Sequence, residues 1–517
     1  MQPTSSATSG SSGARGGPPG LRRASALLFL AFLLAFSAVV PRYGWNEPSR
    51  AALTAALVDR GTFAIDAYVN GPWTTGDRAR YRGHYYSDKI IGTSLLAVPG
   101  YALARLVAGT GGGAAPPWIS ALAMRFFAET LPGAASAVLL FLLLVRLGTP
   151  GRSAVLATVL SILGTMWFAY GTTLYPYVPG IAAVLAAMHL VLFPPARWRP
   201  AVVSLLVGCA LGAALLLDYV FAIAAAAVAF ARVWRVARPG PPEPLAAGRQ
   251  YGAARALAVA AGHALAIAGG ALPFLAVFAA YCHAIFGRLA IPYQFLENPI
   301  FRDGMARGLL GVTSPSLASL VFITVHPFRG LFFWSPVVAV AFWGCLRWAR
   351  NADDRRRTAG LLGAFALPAY LLFNSAYYMW WGGWAPGPRF AVPALPLVMP
   401  GLAALVPAAE GRGAAGWTVA RIAGWLSVAL SLPIALTGVN VPAGWTDAAL
   451  LRVDLRTRLP LVNVDRLLEF LAGKADLLSW DVAAFSAPRW AGYAALLVVA
   501  GVFAGLVRGA ARACEGR

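Results

Sequence analysis

The stretch ALAVAAGHALAIAGGALPFLAVFAAY, residues 256–281, contains no aspartate, glutamate, lysine or arginine. It is long enough to cross a bilayer as a helix, which takes about 20 apolar residues. Similar runs recur between residues 24 and 508 of the 517-residue chain, which is 59% hydrophobic and 12% charged. We therefore predict an all-α polytopic membrane protein. No separate soluble domain is expected, because no segment between the runs is long enough to bury its own core.

The loops between the apolar runs predict which side of the membrane each one faces. The net charge is +22, and most of the excess arginine lies in short loops such as 146–152, 232–255 and 347–357. By the positive-inside rule these loops are cytosolic, so the charge does not argue for a nucleic-acid partner. Loops 42–90, 282–318 and 374–390 are then external.

The predicted layout has four parts. Residues 1–22 are rich in Ser, Gly and Pro and are expected to be a disordered cytosolic tail. Residues 23–438 form a transmembrane module, 439–488 a second external loop, and 489–517 a last transmembrane helix with a short basic tail. The segment 91–108 is interrupted by Gly and Pro, so it is either a full span or a shallow re-entrant helix. The total is accordingly about 12–13 crossings.

Glu47 is the first candidate for chemistry. It lies in RYGWNEPSR, residues 42–50, a few residues after the first apolar run. A carboxylate at the membrane boundary beside Trp45 is partly desolvated, which raises its pKa and suits a general base acting on a hydroxyl group. The alternative is an N-terminal helix carboxylate stabilised by the helix dipole.

A polar and aromatic cluster, GHYYSDKIIG, spans residues 83–92. The chain has only two lysines, Lys89 and Lys474, among 42 basic residues. Lys89 is therefore either a chance occurrence or the mark of a site that needs a compact ammonium. In the functional interpretation Lys89 binds a phosphate. The side chains that would arrange this anion site are His84, Tyr85, Tyr86 and Asp88. The alternative is an interfacial anchor of tyrosine rings and a snorkelling lysine.

A third motif, WWGGWAPGPRFAVPALP, spans residues 380–396. An aromatic belt at the membrane interface accounts for the tryptophans but not for Arg389. An arginine near the external face binds phosphate with two parallel hydrogen bonds, and aromatic faces suit sugar stacking. Trp381, Trp384 and Arg389 are therefore candidate substrate-binding residues.

These motifs resemble those of the polyprenyl-phosphate-sugar-dependent membrane glycosyltransferases with the GT-C fold. That superfamily includes the protein O-mannosyltransferases and the bacterial aminoarabinose transferases. The resemblance covers residues 24–440 in layout and residues 45–100 and 377–396 in motif. It implies a GT-C-like bundle with a helical first external loop, in the plasma (inner) membrane. It also implies transfer of a sugar, with inversion, from a polyprenyl-phosphate donor to a hydroxyl of a glycan, lipid or protein on the external face.

The resemblance assigns roles to three residues. Glu47 would be the general base, and Lys89 and Arg389 would hold the donor phosphate. The chain departs from the common pattern in having Asn46 before Glu47, where many relatives carry an Asp or an Asp-Glu pair. It also has isoleucines after Lys89, where many carry Lys-Pro-Pro. Asp88 is the second catalytic candidate.

Neither a cofactor nor a metal is required by this chemistry. Glu47 and Asp88 have the groups to share a divalent cation, which some GT-C enzymes use. The competing interpretation is a non-catalytic lipid or polysaccharide transporter, or a membrane assembly protein. A transporter would often show paired repeats with broken helices in matching positions, which the sequence lacks. The sequence does not indicate an oligomeric state.

Overall fold

The computed structural model describes residues 19–39, 44–109, 116–238, 253–383, 385–407, 414–437, 462–474 and 489–515. Most of these residues are helical, which confirms the all-α prediction. The helices are α1 (Pro19–Ser37), α2 (Asn46–Arg60), α3 (Gly92–Gly109), α4 (Pro117–Arg125), α5 (Leu131–Arg146), α6 (Gly151–Leu163), α7 (Met166–Gly171), α8 (Tyr177–Leu192), α9 (Pro200–Leu217), α10 (Ala222–Ala237), α11 (Ala253–Phe286), α12 (Pro299–Met305), α13 (Leu317–Thr324), α14 (Leu331–Trp334), α15 (Pro336–Trp348), α16 (Asp354–Ala376), α17 (Leu395–Val398), α18 (Ala414–Thr437), α19 (Val462–Leu471) and α20 (Arg489–Ala513).

Within the described residues, eight helices are long and apolar enough to cross a membrane. They are Pro19–Ser37, Pro117–Arg146, Pro200–Leu217, Tyr219–Ala237, Ala253–Phe286, Asp354–Ala376, Ala415–Thr437 and Gly492–Ala513. Four shorter apolar helical segments accompany them: Gly151–Leu163, Tyr177–Leu192, Pro336–Trp348 and Arg389–Leu405. The chain is a multi-pass membrane protein. Helix α3, whose crossing the sequence leaves open, is not among the eight.

Small residues let the helices of the bundle approach closely. Helices α9 and α11 pack backbone to backbone at two glycines. A Cβ at Gly208 would lie 2.0 Å from the Ile267 carbonyl oxygen, and one at Gly270 would lie 1.9 Å from that of Leu205. This is the close packing typical of membrane helices, in which van der Waals contact rather than hydrophobic transfer drives association.

The first external loop folds onto the bundle as a helix and a hairpin. The predicted helix is present as α2, and residues 46–56 are all buried. The hairpin pairs β1 (Arg78–Tyr81) with β2 (His84–Ser87). A Cβ at Gly92 would lie 2.3 Å from the Leu216 carbonyl oxygen, so the start of α3 is seated against the end of α9. The segment just before α3 is thereby held at one end of the bundle.

Two predicted parts of the layout fall largely outside the described residues. These are the N-terminal tail and most of the second external loop, from which only residues 462–474 are described. Helix α19 lies in that loop and contacts α18. The domain boundaries stay a prediction.

We expect the loops on the two sides of the membrane to label differently on intact cells. In a background without the four native cysteines, Gly71→Cys and Leu309→Cys should react with a membrane-impermeant thiol reagent. Ala352→Cys should react only after permeabilisation, because it lies in an arginine-rich loop. Leu309 is 77% exposed, and a Cβ at Gly71 meets nothing closer than 3.9 Å. Protection of Gly71→Cys on intact cells would contradict an external first loop.

Candidate functional site

One cavity opens where the first loop, the start of α8, the turn between α9 and α10 and the segment after α16 meet. Its volume, mouth included, is about 980 Å³, which is the size of a ligand pocket. Six charged side chains line it: Arg50, Asp77, Asp88, Lys89, Asp218 and Arg389. Six tyrosines line it as well: Tyr175, Tyr177, Tyr219, Tyr293, Tyr377 and Tyr378. The charges are three cations and three carboxylates, so the cavity is close to neutral when empty.

The structure brings four of the predicted site residues together. Asp88, Lys89, Trp381 and Arg389 all line this cavity, although the first and last are 301 positions apart in the sequence. Trp384 lies outside the described residues.

The other predicted substrate-binding residues lie on the hairpin and are not among the residues that line the cavity. The His84 ring is exposed, with Nδ1 3.0 Å from an Asp66 carboxylate oxygen. The Tyr85 hydroxyl donates to Glu297 at 3.2 Å. The Tyr86 ring packs against Phe286. Their described partners are thus groups of the first loop, of the end of α11 and of the segment after α11.

Lys89 is held between two carboxylates. The chain leaves β2 at Ser87 and enters α3 at Gly92, and the short connection turns Asp88 and Lys89 into the cavity. The Lys89 Nζ lies 2.7 Å from Asp77 and 2.8 Å from Asp88. Its charge is therefore already matched in the empty site, and the ammonium occupies the position between the two carboxylates that a metal cation would need.

Asp88 is a buried acid whose pKa is set by burial and by its charged neighbours. Its side chain also accepts a hydrogen bond from the Ser49 hydroxyl at 3.1 Å. Burial raises the pKa of Asp88 above its ordinary value, and the neighbouring Asp77 adds to this, while Lys89 and Arg50 act in the opposite direction. The result is a carboxylate that takes up a proton more readily than an exposed aspartate does.

Two guanidinium groups lie close to the same tyrosine ring in the cavity. The Cζ of Arg50 lies 5.5 Å from the centroid of the Tyr175 ring, and that of Arg389 lies 6.0 Å from it. The Nε of each arginine is buried and has no hydrogen-bond partner among the described residues. Buried N–H groups without partners are rare and costly, so each of these two arginines keeps one donor that no described residue satisfies.

Each of the two arginines is positioned by its neighbours. Arg50 lies one turn into α2 and donates to the backbone oxygen of Asn46 at 3.2 Å and to its side-chain oxygen. Arg389 packs over Gly382, where a Cβ would lie 3.1 Å from the Arg389 Cγ. The turn that contains Gly382 is held by Arg329, a buried arginine that donates to the carbonyls of Trp381 and Gly383.

Glu47 is buried beneath the cavity wall. It lies in the first turn of α2, and its carboxylate accepts the Gly44 N–H at 3.2 Å. It is not among the lining residues, whereas its neighbours Trp45, Asn46 and Arg50 are. Burial raises the pKa of Tyr175, and the charge of Glu47 raises it further, so the Glu47 carboxylate lies within electrostatic reach of the ring that both arginines approach.

Two charged residues that line the cavity, Arg50 and Asp218, are not among the predicted site residues. Arg50 stands on an amphipathic helix, where an arginine is expected. Asp218 lies in the turn between α9 and α10 and uses one oxygen to accept the Val220 N–H at 3.0 Å. An acidic residue between two apolar runs is a signal that could have identified it. In the described residues no group of three or more His, Cys, Asp or Glu side chains has the arrangement of a metal site.

Comparisons with known proteins find similarity in structure only. No family model and no curated protein matches the chain. ArnT from Cupriavidus metallidurans, bound to undecaprenyl phosphate, is similar with a TM-score of 0.48 and 16% identity, over 95% of this chain and 76% of that one. The Archaeoglobus fulgidus oligosaccharyltransferase in the apo form is similar with a TM-score of 0.41 and 13% identity, over 82% and 57%.

A third similar structure is the S. cerevisiae protein O-mannosyltransferase Pmt1-Pmt2 complex bound to the sugar donor. Its TM-score is 0.34 and its identity 13%, over 58% of this chain and 38% of that one. All three have the GT-C fold that the sequence motifs resemble. Identities and TM-scores this low do not decide what this chain does, and its function is inferred from the cavity.

Proposed function

We propose that this chain is a membrane glycosyltransferase. It moves a sugar, with inversion, from a polyprenyl-phosphate-linked donor to a hydroxyl acceptor on the external face of the plasma membrane. The observation that carries this proposal is the pair Arg50 and Arg389, both within 6.0 Å of the centroid of the Tyr175 ring and each with a buried and unpartnered Nε. This pair shares a cavity with the buried carboxylate of Asp88.

The two arginines supply the site for the donor phosphate. A sugar phosphodiester carries one negative charge and accepts several hydrogen bonds, which guanidinium groups donate in a fixed geometry. With Lys89 already paired, Arg50 and Arg389 are the cations whose charge is available in the empty cavity. The tyrosine rings and Trp381 offer faces and hydroxyl groups to the sugar, so recognition does not depend on a charged sugar.

The reaction then needs one proton acceptor and one leaving group. The acceptor oxygen attacks the anomeric carbon from the face opposite the phosphate, which inverts the configuration. The new bond joins that oxygen to the anomeric carbon, and the bond from the anomeric carbon to the phosphate oxygen breaks. The electron pair leaves with the polyprenyl phosphate, and the hydroxyl proton passes to Asp88. Asp88 is assigned this role because a general base must reach the proton directly or through one water.

Lys89 couples the proton transfer to the departure of the phosphate. While Asp88 is ionised, the ammonium is matched by two carboxylates. Once Asp88 is protonated, Lys89 retains only Asp77 as an anionic partner. At the same moment the phosphate gains a negative charge, so the ammonium stabilises the transition state more than the bound substrate. Differential stabilisation of this kind accelerates the chemical step.

The proposal is tested with the full chain reconstituted in liposomes. Polyprenyl phosphates that carry different radiolabelled neutral sugars are supplied with hydroxyl acceptors, and the transferred label is counted. Transfer that is lost on joint substitution of Arg50 and Arg389 supports the enzyme. Movement of intact donor across the bilayer, without any transfer, would instead support the transporter.

Lys89→Arg is expected to lower kcat by about 10–100-fold, because the planar guanidinium cannot replace an ammonium between two carboxylates. Lys89→Ala should lower kcat at least as much. It should also raise the pKa of Asp88, since Asp77 and Asp88 then face each other without a cation.

Transfer rate and donor KM are measured as functions of pH. The matched control is Lys474→Ala, which removes the same charge from an exposed position and should leave both values unchanged. Full activity of Lys89→Arg would rule out the need for an ammonium.

A further inference from the structure

A second cleft lies away from the candidate active site, between the turn that joins α5 to α6, the end of α15 and residues 403–407. Its volume, mouth included, is about 870 Å³. Its polar side chains are Thr149, Arg347, Asn351 and Arg356. None of these residues takes part in the proposed reaction, and we refer to them together as the basic cleft.

The basic cleft lies at the opposite end of the bundle from the tyrosine-lined cavity. Helix α16 begins at Asp354, beside Arg356 of the cleft, and ends at Ala376, beside Tyr377 of the cavity. Its 23 residues span roughly 34 Å at a rise of about 1.5 Å per residue, which is the thickness of a bilayer core. The cleft therefore opens at the face that carries the arginine-rich loops.

The described lining of the basic cleft carries a net positive charge. It contains Arg347 and Arg356 and no carboxylate among the described residues. Two carboxylates that follow Asn351 in the sequence are engaged elsewhere. Asp353 accepts the backbone N–H of Arg356 and caps α16, and Asp354 pairs with Arg235, Arg238 and Arg357. The basic cleft therefore differs in charge from the tyrosine-lined cavity, which is close to neutral. Its positive charge favours an anionic ligand.

Arg356 of the basic cleft is held by the turn that joins α5 to α6. The Nε of Arg356 donates to the Leu147 carbonyl at 2.9 Å. Its Nη2 lies 2.3 Å from the place where a Cβ of Gly148 would be, and Gly148 has a φ of +90°. Only glycine fits there, so the turn is shaped around the guanidinium.

Thr149 is the observation that indicates a ligand. The residue is 6% exposed, and its hydroxyl oxygen is buried with no hydrogen-bond partner among the described residues. A buried hydroxyl without a partner costs free energy, and this cost is offset when a bound anion accepts its proton. Asn351 adds a further donor, because its side-chain oxygen is used by the Asp353 N–H and its amide nitrogen stays available.

We propose that the basic cleft binds a phosphate group on the face of the membrane opposite the candidate active site. The ligand is either the phosphate of an anionic phospholipid in that leaflet or free inorganic phosphate. Both present oxygens to two guanidinium groups, a hydroxyl and an amide. The site is independent of the sugar-transfer reaction, so the test of this proposal does not depend on the proposed function.

Binding is measured on the full chain purified in a zwitterionic detergent. One arm titrates dioctanoyl phosphatidylglycerol against dioctanoyl phosphatidylcholine, and the other titrates inorganic phosphate, each read out by native mass spectrometry and by thermal unfolding. The variants are Arg347→Gln and Thr149→Val. The matched control is Arg350→Gln, which removes the same charge from an exposed residue near the cleft that is not part of its lining.

We expect Arg347→Gln to weaken phosphate binding by about tenfold, the effect of one charge-assisted hydrogen bond. Thr149→Val should weaken binding by about threefold and yet raise the unfolding temperature of the unliganded protein, because it removes an unpartnered hydroxyl. Saturable binding of phosphatidylglycerol alone identifies a lipid headgroup, and binding of inorganic phosphate identifies the free ion. The proposal is overturned if Arg350→Gln weakens binding as much as Arg347→Gln, or if phosphatidylcholine binds as well as phosphatidylglycerol.

Discussion

Asp88→Asn is expected to lower kcat for sugar transfer by roughly 10²–10⁴-fold, the usual contribution of a general base. The amide keeps the size of the side chain and the hydrogen bond from Ser49, but it cannot take up the acceptor proton. Donor KM should change little, because the phosphate is bound by Arg50 and Arg389. The readout is single-turnover transfer of labelled sugar in reconstituted membranes, which separates chemistry from product release.

The pH dependence gives an independent readout of the same role. A base acts when it is deprotonated, so activity is lost as the pH falls through its pKa. Because burial and Asp77 raise the pKa of Asp88, the acid limb of kcat should lie above 3.8, the ordinary pKa of an aspartate. In Asp88→Asn the residual activity should show no such limb.

Two controls separate Asp88 from the other acids near the cavity. Asp77→Asn removes the other carboxylate partner of Lys89 and should reduce kcat far less, because Asp77 is not the proton acceptor. Glu47→Gln tests the role that the sequence resemblance implies. If Glu47→Gln causes the larger loss and Asp88→Asn the smaller, then Glu47 is the base and the assignment of Asp88 is wrong.

The composition of the first helical turn of α2 favours Asp88. Of the adjacent pair Asn46 and Glu47, it is the neutral amide that lines the cavity. Its side-chain oxygen accepts from Arg50, and its amide group lies 3.4 Å from Asp77. Asn46 therefore positions charged neighbours but cannot accept a proton. The sequence shows that a carboxylate is missing from this position, but only the structure shows which member of the pair faces the cavity.

The fold was predictable because a long apolar run that crosses a bilayer by itself has one stable backbone structure. A run such as 256–281 must be a helix, since every backbone group has to be hydrogen-bonded within the segment. The charge of the loops then predicts which side of the membrane each loop faces. The apolar runs do not encode which of them bend, shorten or stop. The sequence therefore leaves open whether segment 91–108 crosses the membrane.

The site was predictable in part. Lys89, Asp88 and Arg389 stood out because their residue types are unusual where they occur. His84, Tyr85 and Tyr86 were grouped with them by proximity in the sequence, but those three lie in β2, whereas Asp88 and Lys89 follow its end. Neighbours in sequence face different ways once a strand stops. The six tyrosines that line the cavity were not predicted as site residues, because aromatic residues at a membrane interface are ordinary. Their convergence depends on contacts between distant segments.

Arg389→Gln is expected to raise the donor KM by about 10–100-fold, because it removes a charge-assisted contact to the phosphate. Arg389→Lys should recover only part of the loss, since an ammonium cannot donate in the same fork geometry. Arg307→Gln is the matched control, because it removes the same charge from an exposed position and should leave KM unchanged. Donor binding is also measured directly with the catalytically impaired Asp88→Asn protein, so that KM is not mistaken for affinity.

The pairing of the two arginines is tested by a double-mutant cycle. Arg50 is buried, so Arg50→Lys, which keeps the charge, is used rather than a neutral substitution. If Arg50 and Arg389 hold the same phosphate, the loss from Arg50→Lys should depend on whether Arg389 is present, and the two effects should not add. Additive losses would mean that the two guanidinium groups bind different ligand groups. In that case the two guanidinium groups near Tyr175 would not form one phosphate site, and the observation that carries the proposed function would fail.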